Sequence, residues 1–472
     1  MNPNELALTS AIKLRQLILS KQISPLELTK LYLERIDKFD GKLHSYLNVT
    51  YDSAIESAKL AEDSLMKGGY LGPLHGLPIS IKDTQMTKGI KTTSGSLIYK
   101  DRVPNQDATI VEKVKKAGAI ILGKTNAPEL GLVGTCINKL GEQGRNPWGI
   151  ERTPGGSSGG AAAAVAAGLC SMATGSDGGG SIRIPSNFCG IFGIKPTQGR
   201  VSSYNGSTSR FHNMFSQNGP LTRTVEDSAL LLEVISGFDE KDPITYMAPP
   251  LDFTNVFNQP ITGLKVAWSP DYGFASVNSE VLEINYKAVR VLEDLGCTID
   301  YPKLQLDPPY DKYGSIITSD FYNLYGPYLK THENDMTDFC RFFIEMGSKV
   351  TTAQYAQTLG YIDELKGKMA KFFQAYDLLV SPTACFTAFT DINFEDNFTS
   401  ESNFPLHYFN GAFTMQANLI GYPAASIPVG FSSEGLPIGL HVIAPKGEEG
   451  RILSLASKYA EAKPWIASYL SI

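Results

Sequence analysis

The sequence predicts an α/β protein built on one large β-sheet with helices on both faces. Short apolar runs that read as strands alternate with longer segments of helical periodicity along most of the chain. No repeat of 20 to 50 residues marks a solenoid. The composition is that of an ordinary globular protein, with 42% hydrophobic residues, 19% charged, 44 Gly and 27 Pro. At 472 residues the chain exceeds the usual single-domain length, yet no Pro/Ser-rich linker or composition break places a boundary.

Residues 5 to 40 read as two helices. Leu14, Leu17 and Ile18 give the first its apolar face, and Leu28, Leu31, Tyr32, Ile36 and Phe39 give the second. Ser24 stands three residues before Glu27, with Pro25 at the first helical position, which predicts a capping-box start. A further helix is expected over Tyr51 to Lys67. Gly76-Leu-Pro-Ile-Ser-Ile-Lys-Asp83 reads as a short buried strand that delivers Lys82 and Asp83 at its end. A lysine there is usually a surface residue whose stem lies along apolar surface. A helix over 107 to 117 and a strand from Ala119 to Leu122 continue the alternation. Val225 to Ile235 is expected as a helix capped by Thr224. Strand Lys265 to Trp268, helix Glu280 to Leu295 and strand Leu378 to Val380 follow. Ile427-Pro-Val and Gly439 to Ile443 read as late strands, with Glu448 to Ala462 as a closing helix. Residues 305 to 420 are less regular and rich in aromatics: Phe321, Tyr322, Tyr325, Phe339, Phe342, Phe343 and Phe409. These serve either as core or as the wall of an apolar pocket.

A net charge of −6 and a pI near 5.7 argue against nucleic acid or an anionic membrane as partner. The six cysteines stand at 136, 170, 189, 297, 340 and 385, none in CxxC spacing, and no Cys/His pattern points to zinc. That usage points to a reducing compartment, with cysteines as small buried hydrophobes. Glu5, Lys13 and Arg15 interrupt any signal-peptide core, and no apolar run approaches eighteen residues. The cytoplasm is the expected location.

Two motif matches fail on physical grounds. Gly118-Ala-Ile-Ile-Leu-Gly-Lys-Thr125 fits the P-loop pattern, but its intervening Ala-Ile-Ile-Leu is itself the strand, where a phosphate cradle needs loop. Gly155-Gly-Ser157-Ser-Gly159 fits the nucleophile elbow, but Arg145 to Pro154 cannot be the strand an elbow follows. His212, His332, His407 and His441 are formal partners only, and His44 and His75 lie upstream, in the wrong order. No histidine is assigned a catalytic role.

The densest chemistry lies between 153 and 200. Thr153-Pro-Gly-Gly-Ser-Ser-Gly-Gly160 opens an alanine-rich run that reads as a tightly packed helix. Gly175-Ser-Asp-Gly-Gly-Gly-Ser-Ile-Arg183 and Phe188-Cys-Gly-Ile-Phe-Gly-Ile-Lys-Pro-Thr197 follow. Glycine permits close backbone approach, so two serine-bearing glycine loops suggest N–H groups turned towards a reacting atom. Together with Gly76 to Asp83, Gly123-Lys-Thr-Asn126, Arg145-Asn-Pro-Trp148 and Gly219-Pro-Leu-Thr-Arg-Thr-Val-Glu-Asp227, these segments resemble the amidase signature family. Asn418 to Ser426 and Gly435-Leu-Pro-Ile-Gly439 extend the resemblance late in the chain. It covers residues 1 to about 240 and 410 to 472.

The resemblance implies the amidase-signature fold, a large mixed sheet, over a single domain 1–472. Residues 65–240 would form the signature core, 241–410 a variable region that shapes the substrate site, and 411–472 a return to the core. It implies a Ser-cisSer-Lys triad, with Ser181 as nucleophile, Ser157 as relay serine on a cis peptide after Gly156, and Lys82 as base. A serine hydroxyl needs a base, and a buried lysine serves if desolvation lowers its pKa towards neutrality. Gly178, Gly179 and Gly180, with the N–H of Ser181, would supply the oxyanion hole. Asp177 and Arg183 would hold the nucleophile's loop, and Asp83 would do the same for Lys82. Gly131, Leu132 and Cys136 are expected in the substrate pocket. No metal or organic cofactor is implied, and the partner is a small-molecule amide. Family members often form homodimers. The expected activity is hydrolysis of an aryl or aliphatic amide to acid plus ammonia or amine through an acyl-serine intermediate. The alternatives are the glutaminase subunit of a tRNA-dependent amidotransferase and a non-catalytic binding protein on the same fold.

Overall fold

The computed structural model describes residues 2–69, 71–206, 214–245, 252–390, 411–465 and 469. Its strands, in chain order, are β1 (Tyr46–Val49), β2 (Pro78–Lys82), β3 (Ile120–Thr125), β4 (Met172–Asp177), β5 (Phe192–Lys195) and β6 (Gln217–Thr222). They continue with β7 (Lys265–Trp268), β8 (Thr298–Asp300), β9 (Leu378–Pro382), β10 (Ala424–Phe431) and β11 (Pro437–Ile443). All join one sheet in the order β1-β3-β2-β4-β6-β5-β10-β11-β9-β7-β8. The sheet is mixed: β2 runs parallel to β3 and β4, and β7 parallel to β8 and β9, while the remaining pairs are antiparallel. Every residue of β2, β3, β5, β9 and β11 is buried, as strands covered on both faces must be.

Most expected elements form close to their expected bounds. The capping box at Ser24 and Glu27 is present and opens a helix Pro25–Leu43. Thr224 caps Val225–Ile235 by accepting from the Asp227 N–H. The first segment holds an additional helix, so residues 3–43 carry three rather than two: Pro3–Leu8, Ala11–Leu19 and Pro25–Leu43. The strand expected over Ala119 to Leu122 extends through Gly123, Lys124 and Thr125. Six of the eight P-loop letters, Ile120 to Thr125, therefore lie in a buried strand rather than in a loop.

The larger departure concerns residues 305–420, expected to be less regular. Helices Tyr310–Tyr325, Asp338–Ser348 and Thr352–Phe372 occupy most of 310–372. Their aromatic and aliphatic side chains recur at helical spacing and form a second hydrophobic core, apart from the one around β2 and β3. Phe409, His212 and His407 lie outside the described residues. No helix among the described residues is long and apolar enough to cross a membrane.

Candidate active site

Parallel pairing of β2 with β4 brings the carboxyl ends of both strands to the same edge of the sheet, where crevices of open α/β sheets lie. Lys82 ends β2, and Ser176 and Asp177 end β4. The helix Gly159–Ala166, buried at every position, packs against β4 and sets the Gly155–Ser158 turn beside that edge. The peptide between Gly156 and Ser157 is cis. A Cβ on Gly156 would stand 2.1 Å from the Thr135 carbonyl oxygen, so only glycine fits this turn.

Lys82 is fully buried. Its Nζ donates to Ser157 Oγ at 2.8 Å, to Ser176 Oγ at 3.0 Å and to the Ser176 carbonyl at 3.4 Å. Burial pulls its pKa down to about 7, against the opposing attraction of Asp177. The amine therefore sheds its proton near neutrality while touching a serine hydroxyl. Ser158 ties the two glycine loops together: its N–H donates to the Ser181 carbonyl at 3.1 Å, and its Oγ accepts from the Ser176 N–H at 3.3 Å. Ser157, Ser176 and the half-buried Ser181 all line one cavity of about 330 Å³.

Asp177 organises the second loop. Its carboxylate accepts from the Gly180 N–H at 2.7 Å and the Ile182 N–H at 3.1 Å, and it pairs with Arg183 through Nε at 2.9 Å and Nη2 at 2.8 Å. Burial alone would raise its pKa; the Arg183 charge and the hydrogen bonds overcome that and hold it well below the usual carboxylate range. Arg183 also donates to the Thr414 carbonyl, to Asn418 Oδ1 and to His441 Nε2. Burial and the neighbouring guanidinium drive His441 well below the ordinary histidine value, so it is a neutral acceptor. No described histidine lines the cavity.

Three placements correct the sequence reading. Gly180 does not face the cavity: its N–H is committed to Asp177, whereas Gly178, Gly179 and Ser181 are lining residues. Asp83 does not brace Lys82; it accepts from the Thr93 and Gly95 N–H groups and from Thr93 Oγ1, holding the loop after β2. Gly131 and Leu132 line the cavity, but Cys136 is buried behind the glycine loop, where a Cβ on Gly159 would meet it at 3.2 Å. Of the aromatics singled out, Phe321, Tyr325 and Phe343 line the cavity, Phe339 is core, and Tyr322 is exposed.

Sequence reasoning assigned no role to Ser176, Tyr313 or Thr414. Tyr313 Oη donates to the Gly178 carbonyl at 2.8 Å, and Thr414 Oγ1 donates to the Gly179 carbonyl at 2.6 Å. Ser176 lies in the glycine-rich segment Gly175–Arg183; nothing in the local sequence marks the other two.

A buried amine thus stands against a serine in one glycine-rich turn, beside a second glycine loop that carries a serine. The family model described as Amidase matches residues 27–453, and the chain belongs to the amidase signature family. The chain is 35% identical over 478 residues to a protein from Marinomonas sp. (strain MWYL1) named as a subunit of glutamyl-tRNA(Gln) amidotransferase, covering 96% of each chain. Among solved structures it resembles a bacterial aryl acylamidase of the amidase signature enzymes, with a TM-score of 0.89 and 29% identity, covering 98% of this chain and 97% of that one. It also resembles the corresponding glutamyl-tRNA(Gln) amidotransferase subunit from Thermotoga maritima, with a TM-score of 0.74 and 30% identity, covering 93% and 92%.

Proposed function

We propose that the chain is a stand-alone amidase that hydrolyses carboxylic acid amides bearing an apolar aryl or aliphatic acyl group. The observation that carries this reading is the buried Lys82 amine, 2.8 Å from the Oγ of Ser157, which lines the same cavity as Ser181. In this reading neutral Lys82 takes the Ser157 proton as Ser157 takes the proton of Ser181. Ser181 Oγ attacks the amide carbonyl, and the resulting oxyanion is met by the N–H groups of Gly178, Gly179 and Ser181. The proton returns through Ser157 to the amide nitrogen, the C–N bond breaks, and ammonia or an amine leaves. Water then cleaves acyl-Ser181 by the same route in reverse. The proposal treats the chain as one domain in the cytoplasm, with 241–410 shaping the acyl pocket.

The cavity wall supports an apolar acyl group. Ile317, Phe321, Leu324, Tyr325, Phe343 and Met415 line it, and among the described residues the charged lining residues are Arg102 and Asp242. Both have internal partners: Arg102 donates to the Thr92 carbonyl and Asp242 accepts from the Ser203 N–H. A free amino acid amide such as glutamine presents an ammonium and a carboxylate, each needing a counter-charge that this wall offers poorly.

A second reading, the glutaminase subunit of a tRNA-dependent amidotransferase, is favoured by the name of the 35% identical relative. The higher TM-score to the aryl acylamidase, 0.89 against 0.74, supports the stand-alone reading. The deciding experiment measures ammonia or amine release from acetamide, benzamide, phenylacetamide, an anilide and glutamine by wild type and Ser181→Ala. Turnover of an apolar amide, reduced by at least about 10⁴-fold in the variant, is expected. Turnover of glutamine alone would move the amidotransferase reading to the front.

A further inference from the structure

A trans peptide is planar, so its C=O and N–H point in opposite directions. The peptides after Gly178 and Gly179 are trans, since the cis bond of the described chain is at Gly156–Ser157. The Gly178 carbonyl thus shares a plane with the Gly179 N–H, and the Gly179 carbonyl with the Gly180 N–H. Both carbonyls are held by hydroxyls from distant parts of the chain, Tyr313 and Thr414. The second clamp shows its effect directly: with the Gly179 carbonyl tied to Thr414, the Gly180 N–H points into Asp177 at 2.7 Å. By the same geometry the Tyr313 hydroxyl turns the Gly179 N–H away from its own ring.

Tyr313 is built into this position. It is 6% exposed and packs against Phe215, with ring centroids 6.3 Å apart. A Cβ on Gly179 would lie 2.9 Å from the tyrosine oxygen, so the loop and the hydroxyl are in close contact. The helix Tyr310–Tyr325 that carries Tyr313 also presents Ile317, Phe321 and Tyr325 to the cavity, at successive turns of one face.

We propose that Tyr313 is a positioning residue for the oxyanion donor of Gly179, acting through the Gly178 carbonyl. The role rests on the acyl-serine reading above. One helix then meets the acyl group and aims the donor, so contacts made by the acyl group are transmitted to the reacting centre.

The test compares wild type with Tyr313→Phe in reaction with diisopropyl fluorophosphate. Ser181 Oγ forms the P–O bond as the P–F bond breaks, its proton passes through Ser157 to Lys82, fluoride leaves, and intact-mass spectrometry follows the adduct. The phosphoryl oxygen gathers charge as a carbonyl oxygen does, so the rate reads the donors without requiring the right amide. The variant is expected to label about tenfold more slowly at saturation, with half-saturation within about twofold of wild type. The pH midpoint of labelling, set by Lys82, is expected to stay where it is in wild type. Final adduct yield counts competent sites, so partial unfolding cannot mimic a slower rate. Equal labelling rates, or a slower rate accompanied by a moved pH midpoint, would overturn the positioning role while leaving Ser181 as nucleophile. A wild type that takes no label on Ser181 would overturn the acyl-serine reading and this role with it.

Discussion

One side of the cavity is polar and fixed by hydrogen bonds; the other is apolar and fixed by packing. On the polar side, Lys82 at the end of β2, Ser157 in the turn before helix Gly159–Ala166, and Ser176 and Asp177 at the end of β4 are held by bonds of 2.7 to 3.4 Å. On the apolar side, helices Tyr310–Tyr325 and Asp338–Ser348 present Ile317, Phe321 and Phe343, which belong to the second hydrophobic core. Buried polar groups tolerate little change, because an unpaired partner is costly. Apolar walls tolerate exchange at the price of altered shape. In the proposed reading the chemistry belongs to the polar side and selectivity to the apolar one, and Tyr313, from an apolar-side helix, bonds across to the Gly178 carbonyl.

The largest effect in this comparison is expected at Asp177. Replacing it with Asn leaves the buried Arg183 charge uncompensated, and Arg183 also spans to Thr414, Asn418 and His441. Loss of about 3–5 kcal/mol of unfolding free energy is expected, measured by urea denaturation. A loss below about 1 kcal/mol would mean that this side is not held by the ion pair.

A smaller and different effect is expected on the apolar side. Ile317 lies one helical turn beyond Tyr313 and lines the cavity. Ile317→Ala is expected to lower kcat/KM for phenylacetamide about tenfold relative to acetamide, which is too small to fill the wall. Equal losses on both amides would show that the wall acts on the reacting centre rather than on the choice of acyl group.

The two sides also differ in how well the sequence reveals them. Lys82, Ser157 and Ser181 stand out because the segments that hold them resemble the amidase signature family, and the two serines lie among glycines of which the backbone geometry requires some. Gly156 is such a case, with no room for a Cβ beside Thr135. What the spacing does not carry is direction: the N–H of Gly180 turns to Asp177 while its neighbours line the cavity. β4 was hidden for another reason. Met-Ala-Thr-Gly-Ser-Asp lacks the β-branched run that marks a strand, and its ladder with β2 and β6 makes it one. On the apolar side, Phe339 and Phe343 stand four residues apart on one helix and read alike. Tertiary packing buries both in the second core, and of the two it is Phe343 that also lines the cavity. Tyr313 was unreadable because its partner, Gly178, lies 135 residues away.

The smallest expected effect separates burial from basicity. Lys124 lies on β3 opposite Ile81, the residue before Lys82 on the neighbouring β2, and is also fully buried. Burial lowers its pKa to about 7 as well, so the two amines lose their protons over the same range. Their surroundings differ: Lys82 touches Ser157 and Ser176, whereas Lys124 donates to the Gln85 carbonyl and to Thr87 Oγ1, with Asp83 as its nearest opposing charge. As pH rises through about 7, Lys82 becomes neutral and able to accept the Ser157 proton. kcat/KM should therefore climb about tenfold per unit below that midpoint and level off above it. Lys124→Met should leave this midpoint unmoved. Its cost should fall on stability, on the order of 1–3 kcal/mol, since two buried acceptors lose their donor. If the midpoint shifts instead, the two lysines titrate as a coupled pair, and the base is a property of both strands rather than of Lys82 alone.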